Sequence, residues 1–216
     1  MAARAGVSHP VSRVNGVPLP RFAVVDLETS GFSTRWHRIL QIGLVTVEAD
    51  GTVVDEWATN VKLRWPLQRV GPTHVHGITR ATLKDAPPLG DVLAEFGARL
   101  DGAILTAHNA DFDSGFLRRA ARRRPADDAV RRSLEHPLCT LRMSRRLDPD
   151  RQRSHRLGDL CEHYGVVLDR PHDALADAAA TAAILPRLLD ELGIDDVEGL
   201  EPFYRRSTRG KRRRRR

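Results

Sequence analysis

The hydrophobic patterning of this 216-residue chain predicts an α/β fold: a mixed sheet of about five strands, opening on an antiparallel three-stranded meander and flanked by helices. Three observations carry that expectation. Short apolar runs rich in β-branched residues occupy 22–31, 39–48 and 52–62, and Asp50-Gly51 marks a hairpin between the last two. Two further short apolar runs, 103–107 and 138–140, alternate with helical patterns. From residue 89 onward, spacing of three and four dominates.

In chain order, residues 1–20 carry three prolines and scattered polar groups and read as a flexible arm. The first strand climbs through Val24-Val25 to Asp26 and Glu28 and breaks at Ser30-Gly31. A loop with Trp36 and His37 leads to the second strand, and the hairpin to the third. Residues 72–88 read as loop and short helix, with Thr79 able to cap a turn. Leu89, Val92, Leu93, Phe96 and Leu100 share one side of a helix that Asp101-Gly102 ends. After the 103–107 strand, residues 108–113 lead into a helix to about 124, and 125–135 read as a polar helix or linker. Residues 156–164 form a helix capped by Gly165, and 173–192 the longest helix, with a kink expected at Pro186. The domain is expected over 21–192, and 193–216 as an extension with a disordered basic tail.

The chain's net charge of +7 is unevenly spread. Residues 1–117 are near balance at −1, 118–156 carry +8, 157–204 carry −9, and 205–216 carry +9 with no acid. Blocks of like charge are commonly solvated and commonly contact nucleic acid. The tail is therefore expected to tether a polyanion, and the 118–132 arginines to line its path. No run approaches the ~20 apolar residues of a membrane span. The N-terminus lacks an apolar signal core, and Cys139 and Cys161 match no zinc spacing, so a cytoplasmic location with reduced thiols is expected.

The chemistry concentrates at the end of the first strand. Residues two apart on a strand share a face, so Asp26 and Glu28 project together while Leu27 turns away. At ~5 Å and an effective dielectric near 20, two such charges repel by roughly 3 kcal/mol. A divalent cation between them relieves that, and hard oxygen ligands favour Mg²⁺ or Mn²⁺ over zinc. Two solvated acids at an ordinary strand end would read the same way. Asp113 opens a helix after a buried strand, and Asp177 lies one turn into the longest helix, just past His172. Asp113 and Asp173 also suit a role at helix N-termini.

Taken together, Asp26-Leu27-Glu28-Thr29-Ser30-Gly31, His108-Asn109-Ala110-Asp111-Phe112-Asp113 and His172-Asp173-Ala174-Leu175-Ala176-Asp177 resemble the three motifs of the DEDDh exonucleases, and His76-Gly77-Ile78-Thr79 resembles their HGIT element. This is the superfamily of the epsilon proofreading subunit of bacterial DNA polymerase III, with an RNase H-like fold. The likeness runs over about residues 21–190. It implies a 3′–5′ exonuclease acting on single-stranded DNA ends, and on RNA in an RNase T-like variant, releasing nucleoside 5′-monophosphates. It implies two Mg²⁺ or Mn²⁺ ions: Asp26, Glu28 and Asp177 on the first, Asp26 bridging to the second, and Asp113 in support. His172 would be the general base, with His108 as rival. Leu27, Thr29, His76, His108, Asn109 and Phe112 would flank the terminal nucleotide. Any proofreading would serve a DNA polymerase in trans. A non-catalytic nucleic-acid-binding module is the competing class.

Overall fold

A computed structural model describes residues 17–65, 67–100, 102–122 and 128–205. Five strands form one mixed sheet in the order β3-β2-β1-β4-β5. They are β1 Phe22–Thr29, β2 Ile39–Val47, β3 Val53–Asn60, β4 Ile104–Ala107 and β5 Leu138–Cys139. The first three are antiparallel, and β1–β4 and β4–β5 are parallel. This is the expected architecture.

Strand alternation sorts β1 between two cores. Ala23, Val25 and Leu27 join the cluster under helices α2 (Leu89–Leu100) and α3 (Ala110–Ala121). Phe22 and Val24 join the cluster under α7 (Ala174–Leu192). Asp26 and Glu28, in phase with Phe22 and Val24, therefore belong to the α7 face. The remaining helices are α1 Thr73–His76, α4 Asp128–Ser133, α5 Thr140–Leu147 and α6 Leu157–Tyr164. Helix α5 has no counterpart in the sequence reading, which stopped at a strand over 138–140. Its buried residues are Thr140, Met143 and Ser144, two of them polar, so no apolar stripe announces it.

Pro186 does not interrupt α7; its ring lies over the turn at Gly51, where an added Cβ would sit 2.9 Å from Pro186 Cγ. The chain beyond Gly193 is no appendage as far as Arg205. A 3₁₀ turn, Glu198–Phe203, buries Leu200 and Phe203 in the α7 core, and Tyr204 bridges Leu138. Pro18 bridges Asp196, and Val197 N donates to Val17 O. The residues expected as arm and extension thus meet each other across the core. The expected arm over 1–16 and the basic tail from 206 lie outside the described residues. No described helix is long and apolar enough to cross a membrane.

Candidate active site

Two features of β2 seat the first turn of α7 over β1. Gly43 pairs with Asp26 across the antiparallel ladder, and a Cβ there would lie 2.1 Å from Ala174 O. Gln41 Oε1 accepts a hydrogen bond from Ala174 N at 3.0 Å. Asp173 caps the helix, its Oδ1 accepting from Ala176 N at 3.1 Å. This docking carries Asp177 toward the acids of β1. Gly43→Ala would force the helix away, since the obstacle is backbone. The expected result is at least a tenfold loss of kcat and a lower melting temperature, read by steady-state cleavage and thermal denaturation. Wild-type values for both would show that the docking is unimportant.

His172 sits in the turn before α7. Asp173 N donates to Arg170 O at 3.2 Å, Pro171 holds the second position, and His172 has φ 66°. Proline followed by a positive φ is the pattern of a type II turn. His172 N donates to Asp177 Oδ2 at 3.2 Å, which ties the turn to the helix it precedes. Glu28, His172 and Asp177 each place one potential ligand atom within 4.8 Å of the others. Asp177 Oδ1 is buried without a hydrogen-bond partner.

Asp113 enters from α3. Asn109, with φ 68°, turns the chain from β4 into the helix and buries Asp113 at its first turn, 3% exposed. Burial pushes Asp26 well above the usual carboxylate range, and the charges of Asp113, Asp177 and Glu28 push it further. Burial, then Asp177 and Asp173, raise Glu28 to about 7. Burial raises Asp113 to about 8 against opposing backbone hydrogen bonds, with Glu28 adding to the rise. Burial also raises Asp177, opposed by the His172 amide and imidazole. The four acids thus share one electrostatic pocket.

A stability prediction follows for the metal-free protein. Unfolded, these acids titrate near ~4. Folded, Glu28 and Asp113 hold their protons to about 7 and about 8. Between those limits the native state binds more protons, so stability falls as pH rises. The melting temperature in EDTA should drop by at least ~5 °C between pH 5 and 8.5, at ~2–4 °C per kcal/mol for a chain this size. Mg²⁺ should restore it at pH 8.5 and do little at pH 5. A flat profile, with no response to Mg²⁺ at pH 8.5, contradicts this.

The residues expected to flank a nucleotide are placed less uniformly. Leu27 is 4% exposed and belongs to the core, and the buried Thr29 donates through Oγ1 to Gly31 O at 2.9 Å. The buried His76 accepts from Ile78 N on Nδ1 at 3.0 Å. Burial holds its pKa below the ordinary histidine value, with His172 adding to that effect. His108 uses both nitrogens within the protein. Nε2 faces His155 O at 2.9 Å and must donate, so Nδ1 accepts from Thr140 Oγ1 at 3.0 Å. Phe112 packs between Phe116 and Phe32, with centroids 5.1 and 6.4 Å away. Phe32, the aromatic directly after Ser30-Gly31, is 91% exposed. Asp111 pairs with Arg142 at 3.3 Å and with Arg205, so its charge is met rather than added to the site.

The model of the exonuclease family (RNase T) matches residues 23–185, a span holding all four acids and His172. The chain belongs to this family. The chain is 34% identical over 171 residues to a DNA polymerase III PolC-type of Oceanobacillus iheyensis, covering 79% of the chain and 12% of the polymerase. It is 39% identical over 185 residues to a Mycobacterium tuberculosis protein provisionally named a bifunctional exonuclease/endonuclease, covering 82% of the chain and 27% of that protein. The chain thus spans only a minor part of either relative. Among solved structures, Exonuclease X in complex with 5′ overhanging duplex DNA superposes with a TM-score of 0.62 at 26% identity, covering 84% of this chain and 98% of the other.

Proposed function

We propose that this exonuclease removes nucleotides from the 3′ end of single-stranded DNA and releases nucleoside 5′-monophosphates, in a reaction that needs two Mg²⁺ or Mn²⁺ ions. The observation that carries this reading is the coupling of Asp26, Glu28, Asp113 and Asp177 in one buried pocket beside His172. Acids forced toward their neutral forms, and an unpartnered Asp177 Oδ1, fit a cation site. Four carboxylates are a hard donor set suited to Mg²⁺ or Mn²⁺. Asp26, Glu28 and Asp177 would hold one ion, with Asp26 shared to a second and Asp113 in support. When bound, the pair of ions supplies Lewis-acid stabilisation of the attacking and leaving oxygens.

The chain's own groups do the rest. A His172 ring nitrogen takes a proton from water as its oxygen bonds to phosphorus. The bond from phosphorus to the preceding nucleotide's O3′ breaks, and that oxygen takes a proton from solvent. The Asp177 carboxylate, bonded to the His172 amide, fixes the turn that presents the imidazole. With both nitrogens engaged, His108 braces the β4–α3 turn instead of serving as base. Phe32 and Phe112 offer rings to the terminal base. The PolC-type relatives support polymerase-generated ends as the natural substrate.

The test is parallel digestion of matched 5′-labelled single-stranded DNA and RNA in Mg²⁺. The expected result is a ladder shortening from the 3′ end, faster on DNA, with 5′-mononucleotide product and no cleavage in EDTA. Faster digestion of RNA would reassign the substrate, and internal cuts or EDTA-resistant cleavage would defeat the reading. The tail contributes binding only. Deleting 206–216, which carry eight Lys/Arg, should reduce the slope of log affinity against log salt by up to ~6. Single-turnover cleavage at saturating substrate should stay unchanged; an unchanged slope would remove the tether.

A further inference from the structure

A groove of about 650 Å³ lies on the sheet face opposite α7. Its walls are the loop before β2, the segment after β3, the start of α2 and the middle of α3. Arg38, Lys62, Arg64 and Arg119 line it, and no carboxylate is among its described lining residues. Ile39, Val61, Leu63 and Phe116 give it an apolar floor. Trp65, 56% exposed, stands at the wall with the Arg64 guanidinium 5.2 Å over its ring. A second groove of about 380 Å³ shares Lys62, Leu63 and Arg64 and adds Arg80 and Lys84, again with no carboxylate among its described lining residues.

We infer that this groove holds the stretch of single-stranded polynucleotide lying 5′ of the reacting end. The inference rests on the exonuclease reading above and adds a binding surface to it. Arg38, Lys62 and Arg64, with no carboxylate among the described lining residues, are complementary to a phosphate backbone. An apolar floor beside an exposed indole suits the base faces of a single strand, which a duplex does not present. Continuity with the site runs through α3. The ring contact from Phe112 to Phe116 joins the helix's first turn, where Asp113 sits, to the groove floor. From Asp113 to Arg119 the helix advances about 9 Å at 1.5 Å per residue. That distance is about three nucleotides at ~3.4 Å each along a stacked strand. The groove therefore engages from about the third nucleotide onward.

The groove's cations are not those that sequence charge singled out. Within the basic middle block, Arg118 Nε donates to Leu134 O at 3.1 Å and Arg131 to Ala121 O at 3.2 Å, so these arginines tie α3 to the α4 segment. Of that block's described residues, Arg119 lines the groove. Arg38, Lys62 and Arg64 come from the charge-balanced first half of the chain.

The test combines Lys62→Ala/Arg64→Ala, whose side chains are exposed, with oligothymidylates of three and eight nucleotides. Wild type should show at least a tenfold higher kcat/KM on the octamer. The double variant should lose that gain and cleave the trimer normally. Binding is read separately by fluorescence anisotropy of a labelled octamer on the Asp26→Asn background. There the double substitution should lower the salt slope by ~1.4, for two phosphates at ~0.7 each. Trp65→Ala should weaken the octamer about tenfold and leave an abasic octamer unaffected. An unchanged length gain and salt slope, or equal losses on trimer and octamer, would overturn the inference. So would a blunt duplex bound as tightly through the same residues. If wild type shortened no strand but the octamer still bound through Lys62 and Arg64, the groove would stand and the exonuclease reading would fall.

Discussion

Asp26→Asn should reduce strand shortening by at least ~10³-fold, the equivalent of losing several kcal/mol of metal-derived transition-state stabilisation. The same change should stabilise the metal-free protein. Asp26 is disfavoured as an anion by burial first and by three neighbouring acids second. A neutral amide of the same shape removes that cost, so the Asp26→Asn melting temperature in EDTA at pH 8 should exceed that of wild type. A substitution that merely damaged the fold would lower activity and stability together. Opposite signs in single-turnover cleavage and thermal denaturation are the signature of a carboxylate kept for function at the expense of stability. Activity within tenfold of wild type would remove Asp26 from the reaction.

His172→Asn should lower kcat by ~10²–10⁴-fold, the usual contribution of a positioned general base. Asparagine is the informative replacement because it tolerates the left-handed backbone that His172 adopts at φ 66°. The turn, its hydrogen bond to Asp177 and the melting temperature should therefore survive. His172→Ala should cost roughly a further 1 kcal/mol of stability from backbone strain. If His172→Asn kept full kcat, the imidazole would be excluded as base. His108, with both nitrogens bonded inside the protein, could not replace it without breaking those contacts.

The elements easiest to read in sequence were those whose burial is one-sided. Helix α2 occupies the expected residues because Val92, Leu93, Phe96 and Leu100 repeat at helical spacing toward one core. Strand β1 was legible because an apolar run interrupted by two acids is rare in a buried strand, and its acids project to one face whatever the topology. What stayed hidden depends on contacts between distant segments. Gly43 and Gln41 carry no chemistry of their own and matter because Ala174 of α7 lies against them. Leu200 and Phe203 read as isolated apolar residues in an acidic stretch, yet both are buried in the α7 core. Charge counting located the arginines but not their partners. Arg142 is committed to Asp111 and to Tyr204 O, while Arg38, Lys62 and Arg64, which line the groove, lie in the charge-balanced first half of the chain.

The central claim is that acids from three separate stretches form one divalent-cation site. Calorimetric titration of Mn²⁺ into metal-stripped wild type and Asp26→Asn at pH 7.5, with a 5′-mononucleotide present, tests it most directly. The account predicts two Mn²⁺ per wild-type chain and proton release on binding, because Glu28 and Asp113 hold protons up to about 7 and about 8. It also predicts that Asp26→Asn binds far more weakly. No Mn²⁺ uptake by wild type, or equal uptake by the two proteins, would contradict it.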